Sequence, residues 1–172
     1  MRNLLLGGFA ALVLVACGQP PAATTTEAAP VETAAVEPAA PTLPANVFAS
    51  AEGVAAGGYD VVSFFKGAPA AGTAEFVSEV EGVKYQFASA ESKAEFDAAP
   101  ANFLPQYGGF CAYGAAKGKK FPIDPVTGTV INGKLYFNLN QDVQKEFNKD
   151  QAGNISAADA NWPNIQNDPI AG

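Results

Sequence analysis

Two pairs of strand-forming runs, each joined by a two-residue turn, constrain the fold of this chain most. The clearer pair covers residues 129–139 and surrounds Asn132-Gly133, two residues that tolerate the positive φ angles of a type I′ turn. The earlier pair covers residues 75–88 around Glu81-Gly82, and its second run alternates apolar and polar residues with a period of two. The sequence therefore predicts two β-hairpins.

Capping residues predict three short helices beside these hairpins. The predicted helices cover residues 90–98 after Ser89, residues 141–150 after Asn140, and a short segment with the capping-box pair Ser156 and Asp159 that ends at Pro163. These helices lie between and after the hairpins, and they do not alternate with single strands. The pattern predicts an α+β fold, with short helices packed on two β-hairpins in a single small domain.

The first 16 residues have the pattern of a secretory signal peptide, with one positive charge and then an apolar run too short to span a bilayer. The run ends in Leu14-Val15-Ala16-Cys17, which resembles a bacterial lipobox, whose cysteine is acylated and becomes the first mature residue. The alternative is an ordinary cleaved signal followed by a chance cysteine. Gly18, where inner-membrane lipoproteins carry aspartate, favours the outer membrane. We predict a bacterial envelope protein, anchored to the periplasmic face of the outer membrane through acylated Cys17.

The composition of the segment after Cys17 predicts that this segment does not fold by itself. From Gln19 to Asn46 it consists mainly of Ala, Pro, Thr and Glu, with almost no large apolar residue. Such a segment cannot bury enough apolar surface to offset the entropy lost on ordering. We therefore predict a disordered tether over residues 17–46 and a folded domain over residues 47–172, long enough for one hydrophobic core.

Charge and composition exclude several classes of function. The net charge of −7 argues against nucleic acid as a partner, because an acidic protein repels the phosphates. The chain has no histidine, which excludes His-dependent triads and His metal sites, and its one methionine is the initiator. The short basic cluster Lys117, Lys119 and Lys120 is typical of a solvated loop.

The stretch Pro105–Gly114 carries the candidate site. It contains Cys111, the one cysteine left as a free thiol if Cys17 is acylated, and glycines that permit close backbone approach. Its aromatic residues are Tyr107, Phe110 and Tyr113. Tyr59 and Asp60 could add a phenol and a carboxylate near this loop. The alternatives are that Cys111 is a small buried residue and that Asp60 caps backbone N–H groups in a turn.

Several motifs, in this order along the chain, resemble the YHS-domain family, and in particular its stand-alone exported bacterial members. They are Gly58-Tyr59-Asp60, residues 84–89, Pro105–Tyr113, residues 133–136 and residues 158–163. The resemblance implies a small α+β module that is often described as metal-binding. Metal-type members carry Phe-Cys-Ser-x-x-Cys, and the matching positions here are Phe87-Ala88-Ser89 and Ser92, which leaves Cys111 as the thiol for a metal ion. Some similar exported proteins carry selenocysteine where Cys111 stands.

These observations leave three hypotheses. The first is a binding module rather than an enzyme, in which the Pro105–Gly114 loop presents a site to a small ligand, a metal ion or an envelope protein. Its candidate ligand-binding residues are Tyr59, Asp60, Tyr107, Phe110, Cys111 and Tyr113. The second is a redox protein in which Cys111 cycles through sulfenic acid or a mixed disulfide. The third is a purely structural envelope protein. The observation that bears most on this choice is whether Cys111 lines a cavity of the folded domain.

Overall fold

The computed structural model describes residues 43–171, so the predicted signal peptide, Cys17 and the tether up to residue 42 lie outside the described residues. The predicted α+β class is confirmed, since the domain combines two separate antiparallel two-stranded sheets with short helices. In chain order the elements are α1 (Val61–Phe65), β1 (Thr73–Val80), β2 (Val83–Phe87), α2 (Ala90–Ala98), α3 (Ala112–Ala116), β3 (Asp124–Ile131), β4 (Lys134–Asn138), α4 (Gln141–Lys149) and α5 (Gln151–Ile165). Within residues 43–171, no helix is long and apolar enough to cross a membrane.

Both predicted hairpins are present, and both have positive φ angles at the two turn residues, 53° and 78° at Glu81-Gly82 and 50° and 73° at Asn132-Gly133. The second hairpin differs from the prediction at its start. β3 begins at Asp124, five residues before the predicted strand, and its register shifts before Thr129. Gly128 lies inside this shifted part. A Cβ atom at this position would lie 2.1 Å from the Phe64 ring, so glycine is the residue that fits there.

The first two predicted helices are confirmed with their caps. The side chain of Ser89 accepts a hydrogen bond from the N–H of Ser92, and the Asn140 side chain accepts one from Val143. The prediction for the last helix is wrong. Asp150 caps α5, which continues through Pro163 to Ile165. Proline removes one N–H from the helix, and the burial of Ala158 and Ile165 against α3 offsets that loss.

Strand β4 separates two hydrophobic clusters because its side chains alternate between opposite faces. Leu135 and Phe137 belong to the first cluster, together with residues of α1, α2 and β2. Tyr136 belongs to the second cluster, which lies among α3, α4 and α5. The Pro105–Gly114 stretch lies beside β4, where Cys111 forms an isolated parallel bridge with Phe137.

Residues Leu43–Ala49, called the arm below, pack on the domain, although the sequence assigned those up to Asn46 to the disordered tether. Leu43 and Val47 contact the first cluster, and the N–H of Phe48 donates to the carbonyl oxygen of Gly108 at 2.8 Å. Gly108 lies sixty residues after Phe48 and Lys120 lies 75 residues after Ala45, so composition alone did not reveal this packing. The described domain therefore reaches back to Leu43.

Candidate functional site

Cys111 is buried, with 1% of its surface exposed. Its Sγ atom accepts hydrogen bonds from the backbone N–H groups of Gly114 and Leu139, both at 3.3 Å, and caps the start of α3. Burial raises the pKa of the Cys111 thiol, and these two N–H groups offset part of the rise. A raised pKa disfavours the thiolate, and the position of Cys111 matches a buried capping residue rather than a reactive nucleophile.

The surroundings of Cys111 do not fit a metal ion. The thiol donates to Oδ1 of Asn138 at 3.9 Å, and the same oxygen accepts the N–H of Tyr113. Cys111 is the only cysteine within residues 43–171, and no group of three or more Cys, Asp or Glu side chains in that range is placed to hold a metal. A soft or borderline metal needs several thiolate or imidazole ligands, and these are lacking here.

Asp60 is fully buried and acts as a helix cap. Its Oδ1 atom accepts hydrogen bonds from the N–H groups of Val62 at 2.9 Å and Ser63 at 3.3 Å, and its Oδ2 accepts one from Ala88 at 3.1 Å. Both carboxylate oxygens thus connect the start of α1 to the end of β2. Tyr59 packs against the first cluster with its ring 6.2 Å from that of Phe64. Asp60 is therefore a buried helix cap, and Tyr59 is a partly buried residue packed on the first cluster.

Tyr107 and Tyr113 lie at the second cluster. The hydroxyl of Tyr107 donates to Oδ1 of Asp159 at 3.0 Å, so Asp159 binds a phenol rather than capping a helix. Burial, followed by the Asp159 carboxylate, raises the pKa of Tyr107. Its ring centroid lies 5.8 Å from that of Trp162. Tyr113 is half-buried beneath the ammonium group of Lys117, which lies 4.7 Å from its ring centroid.

Phe110 is a predicted site residue that lines a cavity, called the arm cavity below. This arm cavity has a volume of about 500 Å³ and is bounded by the arm, by Phe110 and Lys120, and by residues 167–170 near the end of the chain. The Phe110 ring forms edge-to-face contact with Phe48 at 5.5 Å and lies 6.0 Å from Trp162. The Pro105–Gly114 stretch therefore contributes to a cavity, but through Phe110 rather than Cys111.

Lys120 joins the three segments that form the arm cavity, and its assignment to a solvated loop is wrong. It is 2% exposed, and its Nζ atom donates to the carbonyl oxygens of Ala45 at 2.5 Å and of Gln166 and Asp168 at 2.9 Å. The same Nζ lies 4.4 Å from the Phe110 ring centroid. Burial lowers the pKa of Lys120, and the nearby Asp168 carboxylate opposes that shift. These carbonyl partners come from distant parts of the chain, so no local pattern marked Lys120.

Comparison with known proteins adds no family to these observations. No protein-family model, no curated protein and no solved structure matches the chain.

Proposed function

We propose that this protein is a lipid-anchored binding module of the bacterial cell envelope, and that its domain binds a small apolar ligand in the arm cavity. The observation that carries the proposal is the cavity itself. Its volume of about 500 Å³ lies within the range of sites that bind small molecules, roughly 300 to 1,000 Å³. The proposal keeps the binding hypothesis and moves the site from Cys111 to the arm cavity beside Phe110.

The cavity walls favour an apolar ligand. Leu43, Val47, Phe48, Phe110 and Ile170 supply aliphatic and aromatic surface. Ile170 is one of two large apolar side chains that are more than half exposed within residues 43–171. Covering such surface with a ligand is favourable by roughly 25 cal/mol per Å² of apolar area.

The likeness to exported YHS-domain proteins supports the small α+β architecture and the proposed envelope location. Metal binding is not part of the proposed function. The thiol-dependent alternative depends on Cys111, which is buried and bonded as a cap. We therefore do not propose a thiol-dependent redox function. A purely structural role remains the competing function, and ligand binding separates the two.

The envelope location depends on acylation of Cys17. When the full-length gene product is expressed in a bacterium supplied with radiolabelled palmitate, we expect the label to enter the protein. The Cys17→Ala variant should remain unlabelled because it lacks the thiol that receives the lipid. Label that persists in Cys17→Ala would contradict the anchor.

Ligand binding can be tested with N-phenyl-1-naphthylamine, a neutral dye that fluoresces in apolar surroundings. We expect saturable binding of one dye per chain. Replacing Ile170 with serine removes apolar wall at a position that is 51% exposed, so folding should be unaffected while the dye binds about fivefold to tenfold more weakly.

The matched control is Val126→Ser, which removes a side chain of similar character that is 53% exposed and does not line the arm cavity. This variant should bind the dye as tightly as the unmodified protein. Absence of saturable binding, or equal weakening in both variants, would overturn the proposed function and favour the structural role.

A further inference from the structure

We propose that the ligand of the arm cavity is the hydrocarbon chain of an acyl lipid that has no free acid headgroup. This inference rests on the proposed function and names the class of ligand. It combines the charge of the cavity wall with the position of the arm along the chain.

The wall has no uncommitted cation for a carboxylate headgroup. Lys120 is its one cation, and all three of its N–H groups are already donated to carbonyl oxygens, while the Phe110 ring lies over the ammonium group. An acid headgroup would have to displace these backbone partners. The only other charged residue of the wall is Asp168, whose carboxylate would repel an anion.

The wall also gives no net attraction to a cation. The positive charge of Lys120 and the negative charge of Asp168 are both part of the same wall and oppose each other. The remaining wall is mainly aliphatic and aromatic, apart from the amide of Asn167. An uncharged chain therefore suits the cavity better than either kind of ion.

The arm places this cavity at the root of the predicted tether. Leu43, the first described residue, lies in the cavity wall, and residues 18–42 separate it from Cys17. The tether that composition predicts for these residues would, as a flexible chain, span on average roughly 25 to 30 Å. Acyl chains on Cys17, and those of the surrounding membrane, would thus be presented at a local concentration on the order of millimolar.

Trp162 is a built-in reporter for the test, because it is the only tryptophan of the chain and its ring lies 6.0 Å from that of Phe110. The full-length Cys17→Ala protein is titrated with hexyl, octyl and decyl glucoside below their micelle concentrations, with tryptophan fluorescence as the readout. We expect affinity to rise about fourfold per added methylene until the cavity is filled. Octanoate should bind at least tenfold more weakly than octyl glucoside.

Two further measurements identify which lipid supplies the hydrocarbon chain in the arm cavity. Quenching of Trp162 in the lipidated protein by vesicles of brominated phosphatidylcholine would identify a neighbouring lipid. Loss of octyl glucoside binding in the lipidated protein, without such quenching, would identify the protein's own anchor. Either result supports the inference.

Different results would overturn the acyl-chain assignment and the proposed binding function. If N-phenyl-1-naphthylamine binds but the glucosides show no dependence on chain length, or if octanoate binds as well as octyl glucoside, the acyl-chain assignment is overturned and the cavity remains a binding site. If the dye and all the alkyl compounds fail to bind, both are overturned.

Discussion

Replacing Gly108 with alanine should release the arm from the domain and reduce dye binding in the arm cavity by more than about tenfold, because the arm forms much of the wall. An alanine Cβ at this position would lie 1.7 Å from the carbonyl oxygen of Asn46, a backbone atom that cannot move without the arm. The same shift would break the hydrogen bond from Phe48 N to Gly108 O. We expect the free energy of unfolding to fall by about 2 to 4 kcal/mol.

Gly118→Ala is the matched control for this substitution. Gly118 also has a positive φ angle, 71° against 58° at Gly108, but no atom lies within 4 Å of its added Cβ. It should show only the backbone strain of a left-handed alanine, about 1 kcal/mol, and unchanged dye binding. Urea unfolding and dye titration of both variants measure the two effects. If Gly108→Ala binds the dye as tightly as Gly118→Ala, the arm is not part of the binding site.

Replacing Asp60 with alanine should lower the free energy of unfolding by about 3 to 5 kcal/mol, because three backbone N–H groups lose their acceptor and two of them lie in the buried first turn of α1. The effect is on the fold and not on a ligand, since the Asp60 carboxylate faces only backbone groups. The measurement is urea denaturation followed by tryptophan fluorescence.

Asp150→Ala provides the comparison, because Asp150 is also a helix cap but is exposed and accepts one N–H, from Gly153. It should lower stability by only about 1 kcal/mol. Should Asp60→Ala fail to fold, Asp60→Asn keeps one acceptor oxygen and should give an intermediate loss. Equal effects of Asp60→Ala and Asp150→Ala would contradict the role assigned to Asp60.

Cys111 illustrates how far chemistry can be inferred from residue type. A solitary thiol among aromatic residues and glycines points to reactivity when only the sequence is considered. In the fold, the thiol faces the N–H groups of Gly114 and Leu139, and the latter lies 28 residues away in the chain. The feature that distinguished the stretch in sequence therefore serves the folding of α3. The glycines of the same stretch do provide close approach, and the partner at Gly108 is the arm.

The sequence by itself determined the two hairpin turns and the first two predicted helices of this protein. The turn at Asn132-Gly133, the caps Ser89 and Asn140, and the alternation along β2 are all interactions within four residues or between adjacent strands, so neighbouring residues suffice to predict them. From these elements the α+β class follows.

Only the tertiary structure decided where the site lies. Lys120 is buried because carbonyl groups 46 to 75 residues away in the chain converge on its ammonium group, and α5 passes Pro163 because its apolar face packs on α3. The arm cavity forms where the two ends of the described domain meet Phe110. Contacts of this kind depend on how the whole chain closes on itself, and that closure is set by the packing of all elements together rather than by any short run of residues.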